Sequence, residues 1–218
     1  MNLKVLIILF LAISSAGCLP THNIKKDYNF SSNNNSGLAV FTVTHDKVEA
    51  FGGVQAAYVL YSPNETEEND YGITTGKSRN LYSDPQKAIL WGKKESLGID
   101  GQEGFLHVVE LEEGEHQLKR WFLKSGSKHF HVRPEFRPDP IRFYIKRGEV
   151  RYLGNLHTSV QPGKNVFGIR MVFNGVPVIS DHFERDIKII EEKYPQLADR
   201  VVSTPLESGL WVKKGYLP

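Results

Sequence analysis

The feature that most constrains this chain is a series of short β-forming runs, separated by glycine-bearing turns, that begins at Gly37. Leu38 to Thr44 reads LAVFTVT, and Ala57 to Tyr61 is a second run rich in residues that suit a pleated surface. Three pairs of runs then read as hairpins. Phe105–Leu111 and His116–Leu123 flank Glu112-Glu113-Gly114-Glu115, Ile141–Lys146 and Glu149–Leu153 flank Arg147-Gly148, and Gly168–Phe173 and Val176–Ser180 flank Asn174-Gly175. Asn-Gly is the strongest short hairpin signal of the three, because both residues tolerate the left-handed backbone that a two-residue turn demands. Pro177 cannot donate to a ladder, so its strand is predicted at a sheet edge. The polar stretch from Pro63 to Asp84 reads as a long loop, and Lys87–Trp91 as a short strand or a helical turn.

One helix is expected, over about 181–194. Asp181 followed three residues later by Glu184 suits a capping box, and Phe183, Ile187, Ile190 and Tyr194 form one apolar face. Pro195 makes Tyr194 its end. The fold class is therefore mainly β: an antiparallel β-sandwich over residues 37–218 with one C-terminal helix.

The N-terminus has a different character. Lys4 precedes nine apolar residues, Val5 to Ile13, followed by Ser14-Ser15-Ala16-Gly17 and the only cysteine, Cys18. A cation, a short apolar run and small residues are the three parts of a secretory signal, here residues 1–17. The run is about half the length needed to span a bilayer. Ser15-Ala16-Gly17-Cys18 resembles the lipobox of bacterial lipoproteins, with serine in place of the usual leucine three residues before the cysteine. That resemblance implies cleavage before Cys18, acyl chains on its sulfur and a durable membrane anchor. Leu19 is not an inner-membrane retention signal, so the implied address is the outer membrane, facing the periplasm. Cleavage by an ordinary signal peptidase, giving a soluble secreted protein, is the other reading. Residues 18–36 are polar, end in Ser-Ser-Asn-Asn-Asn-Ser and read as a flexible tether. With no second cysteine the core must hold without disulfides.

Charge is unevenly distributed. Residues 45–115 carry 14 acids and six Lys or Arg, a net of −8, whereas residues 116–151 carry ten Lys or Arg and three acids, a net of +7. The second segment contains Lys119, Arg120, Lys124, Lys128, Arg133, Arg137, Arg142, Lys146, Arg147 and Arg151. Gathered on one side, they would attract anions; the alternative is internal neutralisation by the acidic segment. The candidate contact residues are Arg142, Arg147, Arg151, Lys119 and Arg120, and the candidate partners are an anionic envelope component or an acidic protein. Nucleic acid does not fit an exported chain. His129 and His131 share one face if they lie on a strand, which makes them candidate metal ligands and the basis of an alternative reading as an envelope hydrolase or metal-dependent protein. The acids in Asn64–Asp70 lack the spacing of a calcium loop. No nucleophile elbow, phosphate-cradling glycine loop or HExxH motif occurs, and no cofactor is implied.

Three stretches resemble one family. VVELEEGEHQL (108–118), IRFYIKRGEVRYLGNLH (141–157) and DHFERDIKIIEEKYPQL (181–197) are similar to segments of uncharacterised bacterial lipoproteins whose single domain is a β-sandwich. The resemblance implies architecture and address, and carries no activity.

Overall fold

A computed structural model describes residues 22–31, 33–50, 53–68, 74–84, 97–125 and 130–213. Its strands are β1 (Ser36–Asp46), β2 (Val54–Glu68), β3 (Thr74–Tyr82), β4 (Gln102–Glu112), β5 (Gly114–Ser125), β6 (Phe130–Val132), β7 (Ile141–Ile145), β8 (Val150–Lys164), β9 (Arg170–Ser180), β10 (Val201–Ser203) and β11 (Gly209–Leu210). Two helices, α1 (Phe183–Lys193) and α2 (Pro195–Ala198), lie between β9 and β10. The mainly β, two-sheet architecture expected from the strand pattern is present. The first sheet has the order β11-β9-β8-β1-β4, with β10 also on β8; the second has the order β3-β2-β5-β6, with β7 also on β5. Pairing is antiparallel except that β8 runs parallel to both β1 and β10.

The continuous apolar reading of LAVFTVT has a direct cause: β1 is central and covered on both faces. Ala39, Phe41 and Val43 point between the sheets and meet Tyr58, Leu118, Leu123, Phe143 and Leu156. Leu38 and Val40 point the other way, into a second core with Leu106, Val108, Tyr152, Ile190 and Tyr194. The molecule thus has three layers, because α1, α2 and an N-terminal segment cover the outer face of the first sheet.

That segment changes the extent of the tether. Ile24 N–H donates to Val108 O at 3.0 Å, Tyr28 Oη donates to Glu110 Oε2 at 2.6 Å, and Phe30 is buried. Contacts with the sandwich therefore begin before Gly37, within the described residues 22–31. Residues 22–31 and 33–36 are thus not part of a free tether, and the residues before His22, Cys18 among them, lie outside the described residues.

The three hairpins are also corrected. In the first two the strands exist but their partners differ; in the third both runs belong to one strand, β9. Between β4 and β5 stands Glu113 alone, and between β7 and β8 stand residues 146–149; each connection passes from one sheet to the other. At the second, Gly148 (φ 71°) gives its N–H to Ser36 O, and Leu38 N–H goes to Glu149 O, so β1 takes the place of β7 beside β8. Asn174-Gly175 does not turn at all; it lies inside β9 opposite Gln161 and Val160, next to a bulge. A Cβ on Gly175 would stand 2.5 Å from Leu123 Cδ1, so this glycine provides room for the opposing sheet. The actual β8–β9 turn is Asn165-Val166-Phe167-Gly168, with Gly168 at φ 74°. β9 is flanked by β8 and, over two residues only, by β11, in keeping with the edge position expected from Pro177.

The described part of Pro63–Asp84 is mostly strand and not a loop: it supplies the end of β2 and all of β3. Pro63 falls where the β2–β3 register breaks, at a place where a missing N–H is tolerated. Lys87–Trp91 lies outside the described residues. In the helix, His182 is the N-cap and makes no side-chain cap bond; Asp181 Oδ1 instead accepts the Phe183 N–H at 3.0 Å. Ile190 and Tyr194 are buried as the apolar face predicts.

Candidate anion-binding cleft

Two groups of polar side chains stand out, one on the outer face of each sheet. On the first sheet, a buried seam runs between β1 and β8. Asp186, fully buried on α1, accepts from Thr42 Oγ1 (2.6 Å), Tyr152 Oη (2.7 Å) and Arg185 Nε (2.6 Å). The Asn155 amide lies 2.9 Å from Thr42 Oγ1 and 3.1 Å from Thr44 Oγ1. Thr44 Oγ1 is 2.9 Å from His157 Nδ1, and His157 Nε2 is 3.1 Å from Asp46 Oδ1. A hydroxyl, an imidazole and a carboxylate in that order have the connectivity of a nucleophile, base and orienting acid. Thr44 is fully buried, however, and its hydroxyl has no path to substrate. The seam is structural: burial lowers the His157 pKa, with Asp46 opposing, so a neutral ring accepts from Thr44 and donates to Asp46.

On the second sheet the arrangement is different. A bulge in β5 at Lys119 resets the strand phase, so that Arg120, Phe122 and Lys124 follow at every second residue on the outer face. β3 adds Asn80 and Tyr82. β6 places His131 opposite Lys124, and the segment after it brings Arg133, Pro134 and Arg137. These residues, with Trp121, line a cleft of about 260 Å³. Lys124 Nζ sits 5.0 Å from the Tyr82 ring centre and 5.6 Å from that of Phe122, and His131 stacks on Phe122 at 5.9 Å. Burial lowers the Lys124 pKa. The His131 pKa is lowered by burial first and then by Lys124 and Arg133. Among the described residues, no carboxylate lines the cleft. A fully exposed patch could relieve such crowding through water; a cleft walled by aromatic rings does so less well, which favours an anion.

The five sequence-chosen basic candidates do not converge. Arg120 enters the cleft. Lys119 Nζ instead lies 3.1 Å over the Tyr61 ring. Arg142, largely exposed, stands 3.6 Å from Glu115. Arg147 Nη2 donates to Asn33 O at 2.7 Å, and Arg151 donates to Thr204 Oγ1 and Tyr144 O. Lys124, Arg133 and Arg137, members of the ten-residue basic set, complete the cleft; the aromatic walls carried no sequence signal, being far apart in the chain. Among the ion pairs between described residues, Arg142–Glu115 joins the basic segment to the acidic one. Glu65, in the acidic 64–70 stretch, is buried against Arg79.

His129 lies outside the described residues. His131 faces two cations, a poor setting for a metal ion. Among the described residues no group of three His, Cys, Asp or Glu side chains could hold one. Nor is any described helix long and apolar enough to cross a membrane. Comparison with family models, curated proteins and solved structures finds no match to this chain.

Proposed function

We propose that this chain is a lipid-anchored lipoprotein of the bacterial envelope, held through Cys18 at the outer membrane on its periplasmic side, and that its sandwich is a non-enzymatic binding module for an anionic envelope component. The anchor is supported by the signal-like N-terminus and the solitary cysteine at its end. The binding role rests on one observation: Arg120, Lys124, Arg133 and Arg137 share an aromatic-walled cleft that no described carboxylate lines. Fixed cations of this kind favour phosphate or carboxylate groups, and the rings favour the apolar faces of a sugar or an acyl-glycerol unit.

The two halves are tested separately. Palmitate labelling that is lost in Cys18→Ser supports the anchor; labelling that persists in that variant refutes it. For the cleft, the probes are phosphatidylglycerol vesicles and soluble inorganic pyrophosphate. The wild-type protein is expected to bind a probe that the Arg120→Glu, Arg133→Glu, Arg137→Glu variant does not. For the share of vesicle binding that this variant loses, competition by pyrophosphate marks a phosphate-directed site, and persistence in pyrophosphate marks a lipid-directed one. Equal binding by both proteins would refute the cleft.

A further inference from the structure

The β8–β9 turn carries the most exposed large apolar side chains described. Val166 is 95% and Phe167 83% accessible, with Phe173 at 55% and Ile169 at 41% beside them. Contiguous apolar exposure on this scale marks an interaction site. The tip is also closed on itself. Asn165 Oδ1 accepts the N–H groups of Phe167 and Ile169, both at 3.0 Å. Asn165 O accepts Gly168 N–H at 2.9 Å, and Ile169 O accepts Asn165 N–H at 3.0 Å. Four of the five backbone donors from 165 to 169 are therefore satisfied inside the turn. Unpaired backbone groups are the main obstacle to placing a loop in hydrocarbon, and here the N–H donors, all but one, are already met. Just below the apolar tip stand exposed Lys164 and Arg170, the latter 3.2 Å from exposed Glu49. Apolar side chains above basic ones is the order of a lipid interface: acyl chains first, anionic headgroups next.

We infer that Val166 and Phe167 insert into a lipid surface, with Lys164 and Arg170 at its headgroups. The observations favour lipid over a protein pocket because internal bonding and basic flanks match the layers of a bilayer. This site is separate from the cleft. It also lies away from the N-terminal entry, since Asn23 bridges to Val109 near the start of β1, whereas β8 extends six residues past its last pair with β1, His45–Thr158. Contacts made through the N-terminus and through the tip can thus be separated by substitution.

The test uses the full chain, left unacylated by Cys18→Ser, with Phe167→Trp and vesicles of brominated phosphatidylglycerol. The emission added by this substitution is expected to shift to shorter wavelength and to be quenched, and to do so also when Arg133→Glu and Arg137→Glu disable the cleft. In a second variant, Val166→Asp with Phe167→Asp, the vesicle affinity remaining in the cleft-disabled protein should fall at least about tenfold. Both sites are exposed, so folding is unaffected. Emission that stays water-like and unquenched, or affinity unchanged by the paired aspartates, would overturn the inference.

Discussion

The two outer faces of the sandwich treat charge in opposite ways. On the first sheet, Asp186 is taken fully out of water and surrounded by Thr42, Tyr152 and Arg185, each within 2.7 Å. On the second, the three arginines and Lys124 of the cleft have no carboxylate among the described residues that line it. A buried charge that lost its partners would be costly to the fold, whereas a cation cluster in an open cleft is free to attract an anion from solution. The seam has the atom order of a catalytic trio, but its hydroxyl, on Thr44, is fully buried, whereas the cleft has no catalytic order and is open. Accessibility and compensation, rather than residue type, separate the structural site from the candidate functional one.

The sharpest way to break the comparison is at Asp186. Asp186→Ala leaves the Tyr152 hydroxyl without its acceptor and Arg185 without its carboxylate, while Thr42 retains Asn155. The expected loss is about 3 kcal/mol or more, read as a lower urea midpoint; a change under about 1 kcal/mol would remove the seam from the core of the fold. Gly175→Ala should cost about 1–3 kcal/mol by overpacking against Leu123, with no effect on probe binding. Arg133→Glu with Arg137→Glu should have the reverse profile: probe affinity falls at least about tenfold, while stability stays within roughly 0.5 kcal/mol per site.

The smallest effect is in pH, and it divides the two faces. His157 in the seam and His116 between the sheets both have pKa values lowered chiefly by burial. In the unfolded chain these rings take protons at a higher pH than in the native one, so their neutral burial favours folding above the ordinary histidine range. That contribution declines as pH falls through the interval between the unfolded and the lowered native pKa. Unfolding midpoints should therefore drop on acidification. His131 has the same sign for stability but the opposite sign for binding: once protonated it adds a cation to the cleft, so affinity for pyrophosphate should rise as pH falls. Affinity that falls together with stability would mean that the two faces are not independent.

Much of this contrast was legible in the sequence, though not its pairing. LAVFTVT named a buried strand because a central β1 needs apolar residues on both faces. The helix was legible from four residues, Phe183 to Tyr194, but not Asp186, whose buried role depends on Thr42 and Tyr152 from distant strands. The hairpins failed because a turn signal reports local backbone and says nothing of which sheet the next strand joins. At Gly148 the turn residue was right and the partner wrong; at Gly175 the glycine answered a tertiary need, space for Leu123. The basic segment stood out as a charge excess over 116–151, yet of the five candidate contact residues Arg120 alone reaches the cleft. The bulge at Lys119 sets the phase of β5, and nothing local announces it.

The most direct test of the central claim is the titration of the His131 ring, followed by NMR with and without inorganic pyrophosphate. The account predicts a pKa below the ordinary histidine value in the free protein, raised when pyrophosphate binds beside Arg133 and Lys124, with His157 unmoved. An unchanged His131 titration at pyrophosphate concentrations that saturate binding, or an equal shift at His157, would contradict it.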